Sequence, residues 1–493
     1  MPDESVILLS KILTQASSDA KSGDKGNSQK YIDIILEEEI PVFCINQSTN
    51  KSRLMPFKVL FDNNANFWNQ KSSWIYYLTS DGFNKLKEKF TAKQAEWNKP
   101  KPASIPAPKP PDDDIEELEA EEDDVEIGLG DDYKAFAKMT TEEKIECINE
   151  GKKRLNQILS EKTRDEKLVT EALVDTTKDA AMINHAALED ALNLADDEAK
   201  KITQVLVDST HEMVKSSAQL VSENIFNNEL MNTLVEKSNG TIIQHMTRVY
   251  LNGISFLSYY NNLVSTSSAI QKLRIKFNSE YRDFYHDLLP HIDIDDIGLE
   301  RVFYGGMRAI APDLFLKWAV GFLIHDIGKA NAVEYHEGEE KYNRKIVIDH
   351  VKHGYRSIMT KTNYPMEASL ITGYHHEYYG DSDGYGYFRA YLTQYKKENP
   401  FATQDYCITY ELEPILDYQA LAYFPAKVLE IIDVFDSVTD PNRAYRKSMT
   451  TLEALDMMRR EFIEKHHKID YILFDIFSMF IMEKEKQKKS GKK

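Results

Sequence analysis

Cysteine is scarce in this chain of 493 residues. Cys44, Cys147 and Cys407 are scattered and form no CxxC pair, so no disulfide framework is expected and a cytoplasmic, reducing location is the natural reading. Long apolar runs are also missing. Residues 316–324 are too few to cross a bilayer, and 471–482 form a short run interrupted by Asp475. The N-terminus, MPDESVILLSKIL, has acidic residues where a secretory signal would have basic ones, so neither export nor a membrane location is expected. Positive charge is in deficit as well. A net charge of −19 argues against a general DNA-, RNA- or anionic-membrane-binding role, which needs a basic footprint. A small phosphate ligand is not excluded, because metals and a few Lys or Arg can hold one locally.

Proline is concentrated in one place. The segment KPKPASIPAPKPP holds six of the 16 prolines and is expected to be extended and semi-rigid. It runs into DDDIEELEAEEDD, whose self-repulsion and lack of aromatics favour disorder. Residues 99–132 therefore read as a linker. The length and an apolar share of 42% point to two or three domains with real cores.

Ahead of the linker, residues 1–98 read as a small α/β regulatory module. YIDIILEEEIPVFCI and RLMPFKVLF carry strand formers, and SDGFNKLKEKFTAKQAEW carries a helical pattern with Ser80 as its cap. Beyond the linker, residues 133–239 read as a helical connector or bundle. Thr140 and Glu143 have capping-box spacing, and Ile145, Ile148, Leu155 and Ile158 mark one apolar face. These helices could also form a homodimer seam, although no strict heptad persists. Residues 240–482 read as almost entirely helical, and 483–493 as a basic, solvated tail. The chain as a whole is expected to be mainly α.

Most of the 13 histidines lie after residue 240. His245 sits in QHMTRVYLNGISFL. His325 and Asp326 are adjacent in GFLIHDIGKA, with Lys329 a turn later. His350 lies in IDHVKHGYRSI, His375 and His376 in ITGYHHEYYG, and Asp433 in LEIIDVFDSV. Each polar residue is flanked by apolar sequence, and a buried imidazole or carboxylate without a partner costs several kcal/mol. Repeated burial of this kind demands compensating charge, and a pair of divalent metals provides it. The mixed N/O donor set suits Fe, Mn, Zn or Ni better than Mg or Ca. Any one of these histidines alone would more often be an ordinary core or surface residue. His336, His353, His466 and His467, in polar or charged surroundings or beside a better candidate, are read that way. The ordered set is what carries the signal.

These segments resemble the HD-GYP family of HD-superfamily metal-dependent phosphohydrolases over about 240–450. His245 with Arg248 and Val249 resembles the opening HxxRV, HDIGK at 325–329 the central motif, and His350 with Gly354 the HxxxG element. His375-His376-Glu377 resembles HHE, and DVFDSVTDPNRAYRK at 433–447 the DxxD stretch and its arginines. The resemblance implies a helical HD-type metallohydrolase domain acting as a cyclic di-GMP phosphodiesterase. Its product would be linear pGpG, in some members GMP, with a metal-bound hydroxide as nucleophile. The implied metal ligands are His245, His325, Asp326, His350, His375, His376 and Asp433, holding two divalent ions, Fe or Mn. Asp326 and Lys329 would be catalytic, and Lys329, Asp436, Arg443 and Arg446 would hold the substrate. Where members with a third metal supply a Glu, Thr241 stands here, so two ions are expected. The name-giving GYP is missing. Either Asp383 to Phe388 replaces it after a short insertion, or Gly380 answers the family glycine and the rest is inserted. Residues 388–424 are longer than usual, which suggests a lid or extra helix, and the arginine stretch after Asp436 has one extra residue. A non-catalytic cyclic-dinucleotide receptor, or an HD phosphohydrolase for another nucleotide, remains open at this point.

Overall fold

The computed structural model describes residues 6–8, 34, 35, 38, 40, 42–46, 52–54, 74–97, 133–223, 241–290, 292–332, 344–379, 384–387, 407–416, 420–441 and 448–490. The chain is mainly α. It divides into two compact units, one of residues 1–121 with 390–403 and 416–418, the other of 122–389, 404–415 and 419–493. The expected linker at 99–132 and the extra helix after Phe388 fall outside the described residues, apart from short pieces at 407–416 and 420–424.

In the first unit, strands β1 (Val6–Leu8), β2 (Phe43–Asn46), β3 (Ser52–Leu54) and β4 (Trp74–Thr79) form an antiparallel sheet in the order β1-β4-β2-β3. Helix α1 (Ser80–Trp97) follows β4 directly. Ser80 is already helical here, and the side chain that caps this turn is Thr79, whose Oγ1 accepts from Gly82 N at 3.1 Å. The run YIDIILEEEI differs from expectation. Ile34 and Ile35 are helical and buried, not extended. A short apolar run of this kind fits a buried helix as well as a strand, and periodicity cannot separate the two.

The second unit begins with α2 (Tyr133–Ala137), α3 (Thr141–Ser160), α4 (Glu166–Leu192) and α5 (Asp196–Glu223). The capping box forms as the sequence predicts: Glu143 N donates to Thr140 Oγ1 at 3.3 Å, and Thr140 N donates to Glu143 Oε2 at 2.8 Å. Next come α6 (Ile242–Val264), α7 (Pro312–Leu323), α8 (Arg344–Lys361), α9 (Met366–Tyr374), α10 (Phe424–Thr439) and α11 (Tyr471–Ser490). A two-residue parallel pair joins Ile408–Thr409 to Ala422–Tyr423. Among the described residues no helix is long and apolar enough to cross a membrane. The basic tail continues α11 through Ser490 instead of fraying at 483, since Lys, Glu and Gln are good helix formers.

Helix α6 lies at the centre of this unit. Every residue from Ile242 to Tyr260 is buried, and α4, α5, α7, α10 and α11 all pack on it. Its polar side chains are paid for locally: Thr247 donates to Ile243 O at 2.7 Å and Ser255 to Leu251 O at 2.7 Å. The helices of 133–223 and the segments 241–389, 404–415 and 419–493 belong to the same compact unit. Tyr250 and Ser217 hydroxyls meet at 2.5 Å, Thr203 Oγ1 donates to Lys361 O at 3.0 Å, and Lys361 Nζ donates to Leu194 O at 2.6 Å.

Two glycines set how closely the site-bearing segments approach. A Cβ on Gly253 of α6 would come within 2.4 Å of the Phe322 ring, so its absence lets the end of α7 lie on α6. A Cβ on Gly328 would come within 1.9 Å of His350 O and 2.5 Å of Gly354 N. There the obstacle is backbone, which has no rotamer to yield. Gly328→Ala must therefore push the turn after Asp326 away from α8. Its cost is expected at or above the upper end of overpacking penalties, about 3 kcal/mol, read as a fall of several degrees in thermal unfolding temperature.

Candidate metal centre

Five segments bring the ligating residue types together. His245 lies in the first turns of α6. His325 and Asp326 follow the C-terminus of α7, His350 is in α8, His375 and His376 follow the C-terminus of α9, and Asp433 is in α10. All are buried, none above 5% exposed.

The helix ends explain how two of the rings are aimed. A helix leaves its last carbonyls without intrahelical donors. His325 Nδ1 takes up Phe322 O at 3.0 Å, and His375 Nδ1 takes up Thr372 O at 2.7 Å. In each case Nδ1 donates to a carbonyl three residues back, which fixes the ring and leaves Nε2 as the nitrogen turned inward. The same local device is thus used twice.

Asp326 lies between two histidine groups. Its Oδ2 is 3.6 Å from both His245 Nε2 and His325 Nε2, and its Oδ1 is 3.2 Å from His350 Nε2 and 3.7 Å from His375 Nε2. Lys329 Nζ donates to Oδ2 at 2.9 Å. Asp433 Oδ1 is 2.8 Å from His245 Nε2, and its Oδ2 is 3.9 Å from His376 Nε2. The donor atoms of His245, His325 and Asp433 lie within 4.8 Å of one another, and so do those of His350, His375 and His376, and those of His325, Asp326 and His375. The residues present therefore fit metal ions. His325 Nε2 is buried without a hydrogen-bond partner. His350 Nε2 and His375 Nε2 face each other at 3.3 Å, with the second committed as an acceptor. Buried imidazole nitrogens and carboxylate oxygens converging in this way suit a divalent cation.

The electrostatics agree. Burial holds His325 down to about 4. His350 is lowered, and His376 is well below its ordinary value, in both cases chiefly by burial. These rings are neutral near pH 7, as ligands must be. Burial opposes charge on Asp326 too, but Lys329 and the surrounding imidazoles outweigh it and keep the carboxyl ionised. His245 differs. Burial works against its charged form, yet Asp433 and Asp436 prevail and raise it to about 9.

Behind His245 stands a second array. Its Nδ1 is 2.8 Å from Asp436 Oδ2. Arg248 grips Asp436 through Nε to Oδ1 at 2.8 Å and Nη2 to Oδ2 at 2.9 Å, and donates to Asp440 Oδ2 at 2.6 Å. Asp436, expected on the substrate, therefore has both oxygens occupied by Arg248 and His245 and stands behind a ligand. Arg443 and Arg446 lie outside the described residues, as does His336. His353 is half-buried, His466 exposed and His467 half-buried. The remodelled segment keeps Gly384–Tyr387 against the ligand turn: Gly386 N donates to His376 O at 3.1 Å and Tyr387 N to Gly373 O at 2.8 Å, and the Tyr385 ring stacks on His376 at 4.4 Å. Residue types alone did not single out Tyr385 or Asp440. The i, i+4 spacing of Asp436 and Asp440 was the one available signal.

Compared with protein-family models, curated proteins and solved structures, the chain matches none of them.

Two outcomes are expected. Asp436→Asn weakens the hold on His245 and leaves Arg248 poorly paired, so metal affinity falls about 10–100-fold, measured by competition with a chelator. Metal uptake must also displace the His245 proton below its value of about 9. Protons compete with metal, so apparent affinity rises with pH by about tenfold per unit through neutrality and levels off above about 9, read by the same competition between pH 7 and 10.

Proposed function

We propose that the chain is an HD-type metal-dependent phosphodiesterase, similar to the HD-GYP family, that hydrolyses cyclic di-GMP to linear pGpG. The observation that carries this reading is the shared carboxylate. Asp326 faces His245 and His325 with one oxygen and His350 and His375 with the other, the arrangement expected of a bridging ligand between two ions. One ion would be held by His245, His325, Asp326 and Asp433, and the other by Asp326, His350, His375 and His376. Fe or Mn is the proposed metal. When bound, such a pair neutralises phosphoryl charge and makes a water acidic near neutral pH.

The chain's own residues supply the rest. Lys329 brings a cation to the same carboxylate, where it would meet a phosphate oxygen and stabilise charge developing on it. Asp433 and Asp436 orient His245 from its two sides. The burial of the ligands excludes bulk water and strengthens these charges.

Protein loaded with Mn or Fe under reducing conditions is expected to convert cyclic di-GMP to pGpG. The assay is run beside cyclic di-AMP and cyclic GMP-AMP, with products separated by chromatography. Asp326→Ala should lower kcat by roughly a thousandfold or more, several kcal/mol of lost stabilisation. Tight binding without turnover under every metal would support a receptor and sink the enzyme.

A further inference from the structure

His185 belongs to none of the motifs above, yet it is completely buried in α4. Its Nδ1 is 3.2 Å from the Tyr133 hydroxyl, and that hydroxyl donates to Glu189 Oε2 at 2.5 Å. Because Tyr133 spends its proton on Glu189, its oxygen accepts from His185, which places the His185 proton on Nδ1. Nε2 is then a bare acceptor, and it is buried with no hydrogen-bond partner. An unpaired buried acceptor costs about 1–3 kcal/mol, so it calls for a water or hydroxyl in the working protein.

The two ring nitrogens point in widely different directions. Nδ1 looks toward Tyr133 and Glu189, whose side chain is 34% exposed and reaches solvent. Nε2 is buried inside the unit. The helix that carries it, α4, packs on the segment Ile327–Ala332 that directly follows Asp326, and the Asp326 carboxylate acts on the His185 ring electrostatically.

We propose that His185, Tyr133 and Glu189 form a proton-conducting chain from the Asp326 side of the metal centre to solvent. The inference rests on the metal-centre reading above. A proton delivered by water forms a bond to Nε2 as the Nδ1–H bond breaks toward the Tyr133 oxygen. The Tyr133 O–H proton passes in turn to Glu189, which gives it up to bulk water, and a flip of the His185 ring carries its new N–H back to the Tyr133 side and restores the start. Burial holds His185 down to about 4, so the transfer is concerted and the imidazolium does not accumulate. Burial also raises Glu189 above ordinary carboxylate values, which makes it a better acceptor near neutrality. None of the three residues is a metal ligand; they relay protons.

The test needs no turnover. Metal-free full-length protein is mixed rapidly with Mn(II) in weakly buffered solution containing a pH indicator, and the displaced protons are followed in time. Tyr133→Phe removes one hydroxyl and nothing else. It should bind the same number of Mn ions and release the same number of protons, but release them roughly tenfold more slowly, near the low end of general acid–base effects. Glu189→Gln should shift the rate in the same direction. With cyclic di-GMP, kcat should fall with an increased solvent-deuterium effect while KM holds. Unchanged release rates in both variants overturn the relay, as does a lower Mn stoichiometry in Tyr133→Phe, which would mark the hydroxyl as structural. If wild-type protein takes up no Mn, the metal-centre reading itself has failed and the relay falls with it. If wild type loads normally and only the variants are silent, the relay alone is wrong.

Discussion

A carboxylate at 1% exposure, set among four imidazoles and one ammonium, has almost no water to support its charge. Asp326 is in that position, and much of the second unit can be understood as what keeps it there. Moving such a charge into the interior costs several kcal/mol unless partners surround it closely. The partners come from helices far apart in the chain, so α6, α7, α8 and α9 must converge. Removing bulk at Gly253 and Gly328 is what lets them converge closely enough. The site therefore does not sit on a finished scaffold. It is a constraint that the helix packing has to meet.

The clustered histidines and aspartates were legible because each joins two signals in a few letters: an apolar run and a His or Asp at or near its end. That signature survives in a single sequence, since burial and polarity together imply compensation. The capping box at Thr140 was legible for a similar reason, as both partners lie within one turn. The role of Asp436 was not. It depends on Arg248, 188 residues away, and no local pattern says whether a carboxylate near a site faces inward or is already taken. His185 was hidden differently. It lies in an alanine-rich stretch of α4 whose neighbours in sequence give no hint of Tyr133, 52 residues earlier. The Ile34–Ile35 segment failed for want of length, because four or five apolar residues fit helix and strand alike.

The repeated use of a helix C-terminus to aim an imidazole also bears on how the centre tolerates change. His325 and His375 are each fixed by the carbonyl three residues earlier, so their geometry depends on helix ends that no ligand-directed substitution touches. Residues 384–387 dock on the second of these ends through backbone hydrogen bonds. The docking is nonetheless tight: a Cβ on Gly386 would come within 1.7 Å of the Glu377 carboxylate, so that position admits only glycine without displacing the residue next to His376.

The packing of α4 and α5 on α6 and α8 has a consequence for where this unit begins. The ligands first appear at His245, and a boundary drawn from them would cut the chain near residue 240. Such a cut would strip the neighbours of Tyr250 and Lys361 and leave the long apolar face of α6 open to water on that side. The smallest autonomous piece is therefore about a hundred residues longer than its motifs. The early helices are as much a wall of this unit as the segments that carry the clustered histidines and aspartates.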